Sequence, residues 1–200
     1  MAAVFVAEYA QVGRQPPVDI EVRVGEQYSA LGLGVIEVVA LVGESGGVAE
    51  DGEAVAQALR EKTGLVSSSF VLRTIDYLRR GGRCSGLEAL GAKMLHIRPS
   101  IVVADGKMHP GEKYRGRYEH YLKHYIRDLL ENDDNIDFSR VVVVHSPSEE
   151  GMVRFAIDTV KSYGLFREVL EAMAGCTICT HCGPDTLGLM FMRKEPQKSK

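Results

Sequence analysis

The chain has 200 residues, 45% hydrophobic and 26% charged, which is enough to bury a sizeable core and excludes a disordered, collagen-like or disulfide-knot protein. Its 24 Lys and Arg against 27 Asp and Glu leave a formal charge of −3, too weak a field to gather a nucleic-acid backbone, so nucleic acid is not expected as a partner. The longest apolar stretch, Leu31 to Val42, is broken by Gly32, Gly34 and Glu37 and falls short of the roughly 20 residues that span a bilayer. MAAVFVAEYA carries no basic residue ahead of its apolar ones and reads poorly as a secretion signal, so a cytoplasmic location without membrane insertion is expected.

In chain order, the pattern predicts a short strand at Ile20 to Val24 and an apolar segment from Ala30 to Val42 with Ser29 placed as a helix cap. Gly43 to Gly47 punctuates the chain, and a helix follows from about Ala49 to Lys62, stopped by Thr63-Gly64. Ser67 to Leu72 is a strand, and Thr74 to Arg80 a short helix ended by Gly81-Gly82. Ser85-Gly86-Leu87-Glu88 has the form of a capping box opening a helix that stops before Pro99. Ile101 to Ala104, then Asp105-Gly106, reads as a strand entering a two-residue hairpin, with the chain returning through Lys107 to Tyr114. Tyr118, Tyr121, Leu122, Tyr125, Ile126 and Leu129 form one apolar face of a helix within Gly116 to Glu131. Val141 to Val144 is a buried strand, a helix opens near Ser146 or Ser148 and runs to about Tyr163, and Arg167 to Ala172 and Leu187 to Met192 are strands.

This alternation predicts an α/β protein of two domains. An incomplete, Rossmann-like α/β domain would occupy residues 1–80 and an α+β two-layer domain residues 81–192, with a polar tail at 193–200. The first piece has few strands and would leave an edge unpaired, so one reading is a non-binding remnant that serves as an assembly surface.

The cysteines are Cys84 alone and Cys176, Cys179 and Cys182 within seven residues. With His181 beside them, the three offer soft ligands for a metal, or thiols for redox chemistry. No second pair completes a four-ligand set, and the bland reading is three small buried hydrophobes, so no metal is assigned. His120 and His124 stand one helical turn apart without the Glu of H-E-x-x-H, which does not support a metalloprotease. Arg79, Arg80 and Arg83, and later Lys113, Arg115 and Arg117, form basic clusters next to Gly81, Gly82 and Gly116. These are either solvated faces or an approach for a phosphate or carboxylate.

Taken in series the motifs are more specific. Leu-Arg-Arg-Gly-Gly-Arg at 78–83, Ser85-Gly86, Ile97-Arg98-Pro99-Ser100, Asp105-Gly106-Lys107, Arg115-Gly116-Arg117, Val-Val-Val-Val-His at 141–145, Thr180-His181-Cys182-Gly183-Pro184 and Leu187-Gly188-Leu189 stand in the order and spacing of the DegV family. The chain resembles that family of bacterial fatty-acid-binding proteins over roughly residues 20 to 192. The resemblance implies a non-enzymatic protein, without cofactor or catalytic residues, that holds one long-chain fatty acid between two domains. It also implies that the bound ligand is presented to a fatty acid kinase subunit.

Residue by residue, the resemblance puts His181 at the carboxylate end, with Thr180 holding it and Gly183-Pro184 making the turn that aims it. Arg83, Arg115 and Arg117 match arginines on the face that meets the kinase. Where the family usually reads Gly-Thr-His-Thr-Gly-Pro-Gly, this chain has Cys179 through Asp185 as Cys-Thr-His-Cys-Gly-Pro-Asp. The family Asp-Ser after the early strand is Gly25-Glu26 here. Asp185 would add like charge near a bound carboxylate unless it points away. The family's Thr-Ser pair and Ser-Gly-rich loop, which grip the carboxylate, have no match in the chain, and the expectation is a truncated first domain with impaired binding.

Overall fold

The computed structural model describes residues 62–83, 97–104, 107–131 and 133–196. The elements expected before residue 62, the helix expected from Ser85, Cys84, the hairpin residues 105–106 and the last four residues lie outside them. The described residues fall almost wholly within one compact unit, Leu65–Lys200. Among them, ten regular elements follow a short 3-10 turn. They are β1 (Val66–Val71), α1 (Asp76–Arg80), β2 (Ile97–Ala104), β3 (Lys107–Arg115), α2 (Tyr118–Leu130), β4 (Ile136–His145), α3 (Glu150–Ser162), β5 (Glu168–Met173), α4 (Cys176–Cys182) and β6 (Leu187–Arg193). The architecture is mixed α/β, with a six-stranded sheet in the order β3-β2-β1-β6-β4-β5. β1 and α1, which the sequence analysis grouped with the first 80 residues, share this sheet unit.

All neighbours pair antiparallel except β4 and β5. That parallel pair needs a crossover, and α3 supplies it. β2 and β3 flank the two expected hairpin residues with Ala104 opposite Lys107. β2 starts at Ile97, two residues before Pro99, so residues 97 and 98 are strand where the sequence predicts helix. Pro99 lacks an N–H, yet its carbonyl accepts from Leu72 N at 3.0 Å and the register shifts between Pro99 and Ile101. A proline inside a strand is tolerated at such a bulge. β4 likewise extends back to Ile136 from the expected Val141, and α4 is a helix the sequence did not predict. Its Cys, Thr and Ile residues have weak helix propensity, so it is held by what it packs on.

Side chains alternate across each strand, and two apolar clusters form. Val71, Val141, Val143, Leu187, Leu189 and Phe191 join Tyr121, Leu122, Tyr125, Ile126 and Leu130 of α2 and Met152, Ala156 and Val160 of α3. Ile101, opposite Phe70 in the register, belongs instead to a second cluster with Leu72, Ile75, Leu78 and Cys182. Adjacent residues 70 and 71 point to opposite faces. Helices therefore meet the sheet on both sides, where the sequence analysis expected two layers.

One polar link crosses the first cluster. The Tyr125 hydroxyl is fully buried, lies 2.9 Å from Ser69 Oγ and accepts from Leu189 N at 3.2 Å. It ties α2 to the paired centres of β1 and β6, and its burial raises the phenol pKa.

Candidate binding site

The strand register brings the candidate residues to one end of the sheet. Val71 at the end of β1 stands opposite Ser100 and Leu187, Leu187 opposite His145, His145 opposite Met173, and Ile97 opposite Arg115. The connections leaving β1, β3, β4 and β5, and those entering β2 and β6, thus share that end. They carry Arg83, Arg115, Arg117, Thr180, His181 and Gly183. The carboxyl ends of strands are where open α/β sheets commonly place ligands.

α1 ends in a Schellman arrangement. Arg83 N donates to Leu78 O at 2.8 Å and Gly82 N to Arg79 O at 3.0 Å, while Gly82 adopts φ +67°. The turn leaves Gly81 facing α4, and the His181 ring lies on it. A Cβ at Gly81 would overlap Nδ1 and sit 2.7 Å from Cε1. The converse contact holds at the end of α4. Gly183 has φ +78°, and a Cβ there would fall 2.6 Å from Tyr77 Cε2. Each helix thus places a ring on a glycine of the other. His181 Nδ1 is buried and has no hydrogen-bond partner among the described residues.

The turn after α4 is fixed by the loop after β4. Ser146 N donates to Thr186 O and Thr186 N to Ser146 Oγ, both at 3.0 Å. Thr186 Oγ1 donates to Cys182 O at 3.1 Å. Asp185, at φ +56°, accepts from Arg73 Nη1 at 2.8 Å, so its charge is balanced by a neighbour. Arg98 Nη1 donates to Arg73 O at 2.7 Å, and its guanidinium carbon stands 5.9 Å from the Tyr121 ring centroid. Burial pushes the Tyr121 phenol up to about 12; Asp185 adds to the rise and Arg98 and Arg73 oppose it.

Thr180 departs from the expectation. Its hydroxyl donates to Cys176 O at 2.8 Å, a bond to the preceding turn of its own helix, and not to His181. Arg83 Nη1 donates to Gly81 O at 2.7 Å and is exposed. Arg115 is exposed at the end of β3, and Arg117 precedes α2, 3.2 Å from Glu119. Gly116 between them has φ +101°, the left-handed region that favours glycine.

The metal alternative at Cys176, Cys179 and Cys182 is overturned by α4. Among the described residues no group of three or more His, Cys, Asp or Glu converges on a metal position. The helix spreads the thiols, with Cys176 exposed and Cys182 buried among Leu72, Ile75 and Leu78. Burial pushes the Cys182 thiol up to about 12.

Sequence reasoning missed Tyr77 and Arg73, and named Arg98 only as part of the 97–100 motif, with no role. For Tyr77 a signal existed: it stands four residues before Gly81, one helical turn, on a helix whose other residues already mark the site.

Residues 19–194 match the family model described as uncharacterised protein, DegV family. A Thermotoga maritima protein named fatty acid-binding protein is 33% identical over 119 residues, 60% of this chain and 41% of that protein. Among solved structures, a DegV lipid binding protein from Thermotoga maritima gives a TM-score of 0.60 at 26% identity, covering 84% of this chain and 56% of that one. A DegV family protein from Thermus thermophilus, described by its fatty acid binding, gives 0.60 at 25% identity over 82% of this chain and 57% of that one. The chain spans about half the length of the relatives it matches, and these three are named for what they bind and not for a reaction. No helix among the described residues is long and apolar enough to cross a membrane. The family match over most of the sequence, with the fold shared by these structures, shows that the chain belongs to the DegV family.

Proposed function

We propose that this protein is a non-enzymatic binder of long-chain fatty acids, with His181 as a hydrogen-bond donor to the ligand carboxylate. The observation that carries the reading is the His181 ring, fixed against Gly81 at the end of the sheet where the family motifs gather, with a buried Nδ1 that has no partner among the described residues. A buried nitrogen without an acceptor costs free energy, roughly 1–3 kcal/mol, and a carboxylate oxygen would relieve it. Desolvating about ten methylenes at about 0.8 kcal/mol each offers roughly 8 kcal/mol, and a carboxylate buried unpaired would give several kcal/mol back. A donor at the head group therefore decides whether such binding is favourable. The fatty-acid and lipid-binding relatives support the choice of ligand.

The same reading assigns Gly183 to the turn that aims the histidine and Arg83, Arg115 and Arg117 to a partner surface for a kinase subunit that phosphorylates the bound carboxylate. What supports that surface is the exposure of all three arginines and their shared end of the sheet. A two-domain organisation and a cytoplasmic location belong to this proposal as well. Native mass spectrometry of the full chain, followed by organic extraction, tests it. About one fatty acid per chain supports the reading, and a chain that stays empty after incubation with oleate and palmitate overturns it.

A further inference from the structure

Three free thiols lie along α4, and they are not equivalent. Residues three apart on an α-helix have Cα atoms about 5 Å apart, inside the range of roughly 4.4–6.8 Å that a disulfide spans. Both Cys176–Cys179 and Cys179–Cys182 meet that condition, so their surroundings separate them. Cys182 is buried in the apolar cluster with Leu72 and Leu78, closed to solvent. Cys176 is exposed in the first turn of α4, and Cys179 is half-buried, its Sγ donating to Ala174 O at 3.1 Å. A small reagent therefore reaches Cys176 first and meets Cys179 next. The two sulfurs sense each other, since charge on Cys176 adds to the rise that burial causes at Cys179.

We infer that Cys176 and Cys179 form a reversible dithiol–disulfide pair that exchanges with a small disulfide such as oxidised glutathione. In the first step the Cys176 thiolate attacks one sulfur of the reagent. An S–S bond forms to Cys176, and one glutathione leaves as thiolate with the electron pair of the broken bond. In the second step the Cys179 thiolate attacks Cys176 Sγ, closes the protein disulfide and expels the second glutathione. Two electrons pass from the protein to glutathione disulfide, and the two thiol protons end on the released glutathiones. Closure removes the Cys179 thiol bond to Ala174 and clips the first turn of the helix that seats His181 on Gly81. The pair stands independently of the ligand reading.

The test equilibrates the full chain in glutathione buffers stepped from reducing to oxidising, quenches with acid, alkylates free thiols and maps the tryptic peptide 168–193, which carries all three cysteines, by tandem mass spectrometry. The expected product is lighter by two hydrogens, with Cys182 alkylated, Cys176 and Cys179 not, and no fragmentation between them. Cys179→Ser should stop at one glutathione on Cys176, whereas Cys182→Ser should still close the pair. Circular dichroism of each variant confirms that it is folded. A glutathione adduct persisting on Cys176 in the unmodified sequence, a link to Cys182 or Cys84, or thiols that stay reduced in the most oxidising buffer would overturn the inference.

Discussion

Gly81 and His181 are in direct contact across α1 and α4, and the contact leaves no room for a side chain at 81: a Cβ there would stand 2.7 Å from Cε1 of the imidazole. The ring position is thus set by what a distant residue lacks. Because an imidazole can swing away, Gly81→Ala is expected to displace His181 more than it unfolds the protein. Overpacking costs about 1–3 kcal/mol, and His181→Ala in the same chain should restore most of that. A double-mutant cycle by urea denaturation checks it. Additive effects of the two substitutions would argue against the contact.

Gly183 should be less forgiving. It combines φ +78° with a Cβ position 2.6 Å from Tyr77 Cε2, so Gly183→Ala carries both backbone strain and overlap. A loss of about 2–4 kcal/mol is expected from those two sources. Gly82→Ala is the comparison, since Gly82 also has positive φ but no atom of the described residues within 4 Å of its Cβ position. It should cost about 1 kcal/mol. Equal losses for the two would contradict the packing role of Tyr77.

Tyr125→Phe keeps the ring and removes the hydroxyl that meets Ser69 and Leu189. Two buried polar groups then lose a partner, and a loss of about 1–3 kcal/mol is expected. Denaturation of Tyr125→Phe and of Tyr125→Phe with Ser69→Ala separates the terms. The double variant should recover part of the loss, because it leaves fewer unsatisfied atoms.

Alkaline pH should weaken the fold. Burial first of all raises the Cys182 thiol from 9.0 to about 12 and the Tyr121 phenol from 10.0 to about 12. The native state keeps protons that the unfolded chain has released, so this contribution is fully present below pH 9 for Cys182 and below 10 for Tyr121, and is lost as pH rises to about 12. Tyr121→Phe should make the fall in unfolding free energy shallower by up to about 1.4 kcal/mol per pH unit. An unchanged slope in denaturant titrations above pH 10.0, the unfolded value for Tyr121, would contradict the assignment.

The parts legible in the sequence were those carried by periodicity. The α2 stripe from Tyr118 to Leu129 and the Val141 to Val144 run predicted their elements because burial on one or both faces leaves a regular trace. α4 left no such trace. Its weak helix formers are held by Cys182 and Ile178 against residues of α1 and β2, information that is not local. Pro99 misled for a related reason, since a bulge let it sit inside β2. The ordered motifs pointed to His181 and its turn, yet the pairing of Gly81 with His181 and of Tyr77 with Gly183 needed the fold, because the partners are about a hundred residues apart. The threefold spacing of the cysteines suggested metal only until a helix placed one of them in the core.

The most direct test of the ligand site is calorimetric titration of oleate into the unmodified protein and into His181→Gln, with both checked for an unchanged fold. A hydrogen bond to a charged group is worth about 1.5–3 kcal/mol, so oleate should bind the unmodified protein and bind His181→Gln roughly ten- to a hundredfold more weakly. Equal affinities would contradict the role given to His181, and absence of binding to the unmodified protein would contradict the ligand itself.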